Sequence, residues 1–140
     1  MKINVDASFK PTGMSMGLVA RNHRGSSLLI WQGKGHASLA MDAELQRIHR
    51  AIWLARQKDW KILEIEGNCK VLLEALSQRE ACPYWQLSSL FLNVELSCYF
   101  TSIKFIWIPR RANTVAHSIS ACVRTTESAG FPTFGELPNV

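Results

Sequence analysis

Long apolar runs are missing from this 140-residue chain; stretches such as Leu28–Trp31 and Phe105–Ile108 are short, far below the roughly 20 residues that cross a bilayer as a helix. The opening Met1-Lys2-Ile3-Asn4-Val5-Asp6 has no signal-peptide core and already reads as a strand. Together these absences argue against secretion and membrane insertion. Cysteine is sparse: the four, at positions 69, 82, 98 and 122, include no closely spaced pair, which excludes a zinc knuckle or a redox motif. They read instead as reduced, packed thiols of an intracellular protein. Charged residues make up only 19%, and sixteen Lys and Arg against eleven Asp and Glu leave a net charge of +5. That excess is compatible with a polyanionic partner without identifying one. With 47% hydrophobic residues the chain is no disordered tail, and its length suits one domain.

What is present is a change of period. Over Lys2–Phe9 Ile3, Val5, Ala7 and Phe9 alternate with Asn4, Asp6 and Ser8, the pattern of a half-buried strand. Lys10-Pro11-Thr12-Gly13 is turn chemistry. Gly17–Arg21 and Ser27–Gln32 follow as strands around a turn at Asn22–Ser26, which makes an antiparallel meander. Leu45, Ile48, Ala51, Ile52 and Ala55 then space an amphipathic helix over Leu39–Lys58. Ser38 is its candidate N-cap, and Asp42 and Glu44 lie early enough to complement the helix dipole. Lys61–Glu66 reads as a strand and Lys70–Gln78 as a helix with Val71, Leu72 and Leu76 inward. Tyr84–Cys98 reads as a Leu-rich helix, Thr101–Ile108 as a strand, and Asn113–Arg124 as a last helix.

The order βββαβααβα predicts an α/β domain over residues 1–124: a mixed five-stranded sheet, meander first and crossovers after, flanked by helices. Residues 125–140, with Gly130, Pro132, Gly135 and Pro138, are expected to be an irregular tail. The first strand starts within a residue or two of Met1, as it would in one domain of a longer protein.

Two carboxylates stand out. Asp is disfavoured inside strands, so Asp6 is either a solvated residue on an open face or there for chemistry. Glu44 alone reads as a dipole-stabilising residue near a helix start.

The motifs Ile3-Asn4-Val5-Asp6-Ala7-Ser8-Phe9, Gly17-Leu18-Val19-Ala20-Arg21-Asn22-His23-Arg24-Gly25, Ala43-Glu44, Leu63-Glu64-Ile65-Glu66-Gly67-Asn68-Cys69 and Ile108-Pro109-Arg110-Arg111-Ala112-Asn113-Thr114-Val115-Ala116-His117 occur in that order. The series resembles the ribonuclease-H-like domain found widely in plant genomes beside, or derived from, reverse transcriptases of retroelements. The resemblance spans roughly residues 2–124. It implies a nuclease that cuts the RNA strand of an RNA–DNA hybrid, with two divalent metals (Mg²⁺ or Mn²⁺) held by four carboxylates. Two such dications, about 4 Å apart, activate a water and stabilise the leaving oxygen. Their mutual repulsion calls for several anionic ligands.

Through the resemblance, Asp6, Glu44, Asn68 and His117 occupy the four catalytic and metal-ligand positions. Asp6 and Glu44 match, whereas Asn68 and His117 stand where the family has Asp, so ligand charge falls from −4 to −2. A neutral carboxamide is a weak Mg²⁺ ligand, and an imidazole suits Mn²⁺ or Zn²⁺ better than Mg²⁺. His117 could also shuttle a proton. Rescue by Glu66 would need a shift of roughly 6–7 Å along the strand. Asn for Asp is also the isosteric change used to trap a metal nuclease on its substrate.

The binding residues are better kept. Arg110, Arg111 and Asn113 fall where the last strand turns into the last helix, and arginine forks pair with phosphates. Lys10, Arg21, Arg24, Lys34 and Lys70 are further candidates for backbone contacts or else a solvated basic scatter, and Ser8, Asn22 and Asn68, ranked below the arginines, have side chains that suit 2′-hydroxyls. The five Trp read as packing between sheet and helices rather than as base-stacking platforms. Leu87, Leu90, Phe91 and Val94 line one side of the Tyr84–Cys98 helix, which either packs on the sheet or favours a homodimer or protein partner.

Three readings follow. One is a duplex-binding ribonuclease-H-like domain with little or no cleavage. Another is an active hybrid ribonuclease, should Asn68 replace Asp by design. The third is a domesticated protein-interaction domain.

Overall fold

The computed structural model describes residues 1–80, 82, 99–118 and, for the backbone, 135–136. Its centre is β1 (Lys2–Lys10), which pairs antiparallel with β2 (Gly13–Arg21) across the two-residue turn Pro11-Thr12, with Lys10 opposite Gly13. Gly13 takes a positive φ there, which a side chain would resist. The second hairpin leads to β3 (Ser27–Gly35) and is held by the Asn22 carboxamide oxygen, which accepts from Arg24 N at 2.9 Å and Ser26 N at 3.0 Å. Both β2 and β3 are longer than their sequence patterns predict. β2 starts at Gly13 because residues 14–20 are buried on both faces and show no alternation to read. β3 reaches Gly35, and Gly33 is needed because a Cβ there would lie 2.5 Å from the Trp31 ring.

From the meander the chain passes into α1 (Ala40–Gln57), which lies across β1 and β2. Its N-cap residue is Leu39 rather than the expected Ser38. Asp42 reaches back from the first turn to accept from the Ser38 N–H at 2.8 Å and from its hydroxyl at 3.1 Å. That contact is one half of a capping box, displaced by a residue. β4 (Ile62–Gly67) returns parallel to β1, α2 (Lys70–Gln78) follows, and β5 (Ser102–Trp107) adds parallel to β4. In α2 the inward residues are Leu72, Leu73, Ala75 and Leu76; Val71 is exposed, not buried as predicted.

The five expected strands stand in the order β5-β4-β1-β2-β3. A sixth, β6 (Gly135–Glu136), pairs with β3 opposite Leu29 and Ile30, within the segment expected to be irregular. Two residues give no pattern to read in the sequence, while the free edge of β3 offers backbone groups to pair. Ile3, Val5, Leu18, Trp31, Leu45, Ile48, Leu54, Leu63, Ile65, Leu72 and Leu73 form the apolar core. β1 is buried on both faces from Ile3 to Ala7, so it is not the half-buried strand its alternation suggested.

Trp31 is in the core and Trp60 packs against it, as predicted, but Trp53 and Trp107 are exposed. Each carries a cation over its ring at 5.2 Å, Arg50 on Trp53 and Lys70 on Trp107. Cys69 is a free thiol, and burial pushes it up from its usual pKa. The Tyr84–Cys98 helix, with its suggested dimer or partner surface, and residues 119–124 of the predicted last helix lie outside the described residues. No helix among the described residues is long and apolar enough to cross a membrane.

Candidate active site

Parallel pairing of β1 with β4 starts the site. The register sets Asn4 beside Glu66; Asp6 lies two residues further along β1, and Asn68 directly follows the end of β4 at Gly67. The central position of β1 buries Asp6 to 1% exposure. A strand aspartate that deep is no solvated surface residue.

The chain then supplies His117 from far along the sequence. After β5, Pro109 turns the backbone into a single 3-10 turn, Arg110–Ala112. Asn113 follows at the N-terminus of the helical stretch 114–118, its carbonyl accepting from His117 N at 3.0 Å. The Asn113 side chain does not cap this helix. Its Nδ2 donates to the Val5 carbonyl of β1 at 2.6 Å, which fastens the helix start to the central strand. His117, one turn on, then brings Nδ1 to 3.1 Å from Asp6 Oδ2.

α1 contributes Glu44. Burial, opposed by the Arg47 guanidinium and reinforced by the charge of Asp6, pushes its carboxyl above the usual range. Arg110 acts in the same direction as Arg47, which puts that exposed arginine within electrostatic reach of the site. The main partner of Glu44 is Arg47, one helical turn on; the Nη2 of the buried Arg47 donates to Oε2 of the partly buried Glu44 in an ion pair. Arg47 is 1% exposed, and its Nε and Nη1 have no hydrogen-bond partner among the described residues. The Asn68 carboxamide oxygen is likewise buried and without such a partner.

Asp6 and His117 are thus in contact, Glu44 is electrostatically coupled to Asp6, and Asn68 directly follows the neighbouring strand β4. Among the described residues no three His, Cys, Asp or Glu side chains cluster closely enough to hold a metal ion on their own. Glu66, the candidate for rescue, is engaged elsewhere: it pairs with Lys2 Nζ at 2.7 Å and accepts from Asn4 Nδ2 at 2.8 Å.

The expected binding residues divide. Arg110 and Arg111 are exposed at the rim. Asn113 is 1% exposed, so its amide serves the fold instead of an open surface. Asn22 uses its carboxamide oxygen in its own hairpin turn. Ser8 and Lys10 continue the Asp6 side of β1 and line a groove of about 500 Å³ with Thr12, Lys34 and His36. A second groove, of about 640 Å³, opens beside Asn113 and is lined by Lys2, Asn4, Arg21, Asn22, His23 and Glu66. Sequence reading missed Arg47, although positions 44, 47, 48 and 51 share a helix face and a charge among apolar neighbours was visible there.

A family model described as reverse transcriptase-like matches residues 4–123. Solved structures with the same architecture include ribonuclease H1 of the halophilic archaeon Halobacterium salinarum NRC-1, at 15% identity and a TM-score of 0.78, covering 86% of this chain and 93% of that one. The N-terminal ribonuclease H domain of rv2228c from Mycobacterium tuberculosis, solved as a fusion with maltose-binding protein, gives 19% and 0.76 over 86% and 91%. LC11-RNase H1 in complex with an RNA/DNA hybrid gives 17% and 0.74 over 86% and 93%. No curated protein matches in sequence. The fold is therefore that of ribonuclease H. By the match over most of its length, the chain belongs to the reverse transcriptase-like family.

Proposed function

We propose that this domain grips the backbone of an RNA–DNA hybrid or similar duplex and cleaves it weakly or not at all. The observation that carries the reading is the contact of the buried Asp6 with the half-exposed His117 next to Glu44, in a ribonuclease H fold, beside the exposed Arg110 and Arg111. The LC11 structure, a relative in fold, holds a hybrid. The route for a duplex follows from β1, whose alternate residues Asp6, Ser8 and Lys10 lead from the site to the groove shared with Lys34. Arginine and lysine there would meet phosphates, a contact that reads helix shape rather than sequence.

The metal pair implied by the fold family does not fit the residues present. Two dications bring +4, and the described donors supply two carboxylates, a neutral carboxamide and an imidazole nitrogen already on Asp6. One of those carboxylates is itself paired with a buried arginine. Hydrolysis that depends on two metals is thus deprived of most of its ligand charge. What remains for these residues is binding and orientation, with the His117 ring held against Asp6.

Hybrid binding followed by fluorescence anisotropy across a salt series, together with a cleavage assay in Mg²⁺ and in Mn²⁺, tests the reading. Affinity is expected to fall steeply with salt, and to fall further in Arg110→Ala and Arg111→Ala, each reducing the salt slope by about one. Salt-independent binding, or none, refutes it. Strong cutting by the unaltered chain reassigns it as an active nuclease, and cutting only in Asn68→Asp marks position 68 as the lesion.

A further inference from the structure

Arg47 is an expensive residue to bury. Its side chain lies in the α1 stripe that otherwise holds Ala43, Leu45, Ile48 and Ala51, and only Nη2 finds a partner among the described residues. A Leu at this position would fill the same space without desolvating a charge. The guanidinium is aimed at one group, the Glu44 carboxylate. Across the site the second carboxylate, Asp6, is met by a ring nitrogen of His117. Both acids are therefore contacted by nitrogen groups of the chain itself. A divalent ion approaching Glu44 Oε2 would have to displace Arg47 or share its carboxylate with a fixed positive charge. A hard cation that needs several oxygen ligands gains little from either.

We propose that Arg47 is a built-in counter-ion to the Glu44 carboxylate, standing electrostatically where a divalent cation would otherwise be required, so that the Glu44 side of this pocket is complete without metal. The position in the helix explains the device. Residues three apart on a helix face the same way, so an arginine at 47 reaches a glutamate at 44 without any change in backbone. The proposal rests on the reading above that the residues present do not fit a metal pair, but not on nucleic-acid binding: a metal site in the unaltered chain would undo it and the weak-cleavage part of that reading, while duplex binding is judged separately by the salt series.

The experiment uses the full chain without nucleic acid. Mn²⁺ is titrated into it while the free-ion electron paramagnetic resonance signal is followed, and thermal unfolding is recorded in EDTA and in millimolar Mg²⁺. The unaltered chain is expected to show no saturable Mn²⁺ site in the millimolar range and the same unfolding midpoint in both buffers. Arg47→Met, or Arg47→Gln as a second variant of similar size, is expected to gain a Mn²⁺ site at least about tenfold tighter, because a fixed like charge is gone. The gain should disappear when Asp6→Asn is added, and Mg²⁺ should now raise the midpoint. A saturable Mn²⁺ site in the unaltered chain that Asp6→Asn abolishes overturns the proposal, as does a folded Arg47 variant with no gain. Should both variants fail to fold in EDTA and in Mg²⁺ alike, the titration of the unaltered chain still decides.

Discussion

Replacing Asn113 separates a nucleic-acid contact from a structural tether. The side chain is 1% exposed and donates to the Val5 carbonyl at 2.6 Å. Asn113→Ala removes that bond and leaves a small void. A buried hydrogen bond contributes roughly 0.5–1.5 kcal/mol net, and an acceptor stranded without water costs about 1–3 kcal/mol. The expected loss of stability is therefore about 1–3 kcal/mol. With a urea m-value of about 1–3 kcal/mol/M for a chain of this size, the midpoint should move down by roughly 1 M. Asn113→Asp should cost more, since a carboxylate would face the Val5 oxygen with no proton to share. The assay is urea unfolding read by circular dichroism, paired with hybrid binding under conditions where each variant is still folded. A tether predicts a large change in midpoint and a small change in affinity. An unchanged midpoint with affinity reduced tenfold would show that the amide meets a ligand and that the fold does not need it.

Other changes test other parts of the structure. Arg47→Met alone should destabilise by about 3–5 kcal/mol, since it leaves Glu44 buried without its counter-charge. Glu44→Leu combined with it should recover most of that loss in denaturant unfolding; an additive double variant would show that the ion pair is energetically idle. At Gly67 an added Cβ would sit 3.1 Å from Val5 Cγ2 and 3.3 Å from Leu73 Cδ1. Gly67→Ala should accordingly cost about 1–3 kcal/mol through overpacking, which a thermal melt at the wild-type midpoint would disprove. Burial, and then the charge of Arg50, holds the His49 imidazole below its usual 6.5. The unfolded chain therefore takes up the proton first as pH falls, and stability should decline from about pH 6.5 downward until the folded group also titrates. His49→Gln should flatten that part of the stability curve; an unaltered pH profile would contradict the sign.

Legibility in the sequence tracked how far each signal was local. Alternation at Ile3-Asn4-Val5 and the helical spacing from Leu45 to Ala55 depend on near neighbours, so β1 and α1 could be read within a residue or two. The start of β2 could not, because Met14, Ser15 and Met16 are paired by the Pro11-Thr12 turn and buried on both faces. Val71 and Leu73 exchange roles for a similar reason. Which apolar residue of α2 turns inward is decided by β5, the strand packed against it. Asp6, Glu44 and His117 were recognisable as a set only through a family resemblance, since no spacing joins residues so far apart. Arg47 and Asn113 were legible as residue types but not in role. One is a charge whose partner sits a helical turn away, the other an amide whose partner is a backbone carbonyl of the distant strand β1.

The contact between Asp6 and His117 spans 111 positions of the chain. On a ribosome the meander and α1 can emerge and settle while the histidine is still unmade, so the pocket is a late product of synthesis. Closing so long a loop carries an entropic penalty, only slowly sensitive to its length, that short-range hairpins escape. A few local contacts then hold the pocket shut, chiefly one amide and one imidazole. It is the place where amide hydrogen exchange should first report opening, well before the strands around it let go.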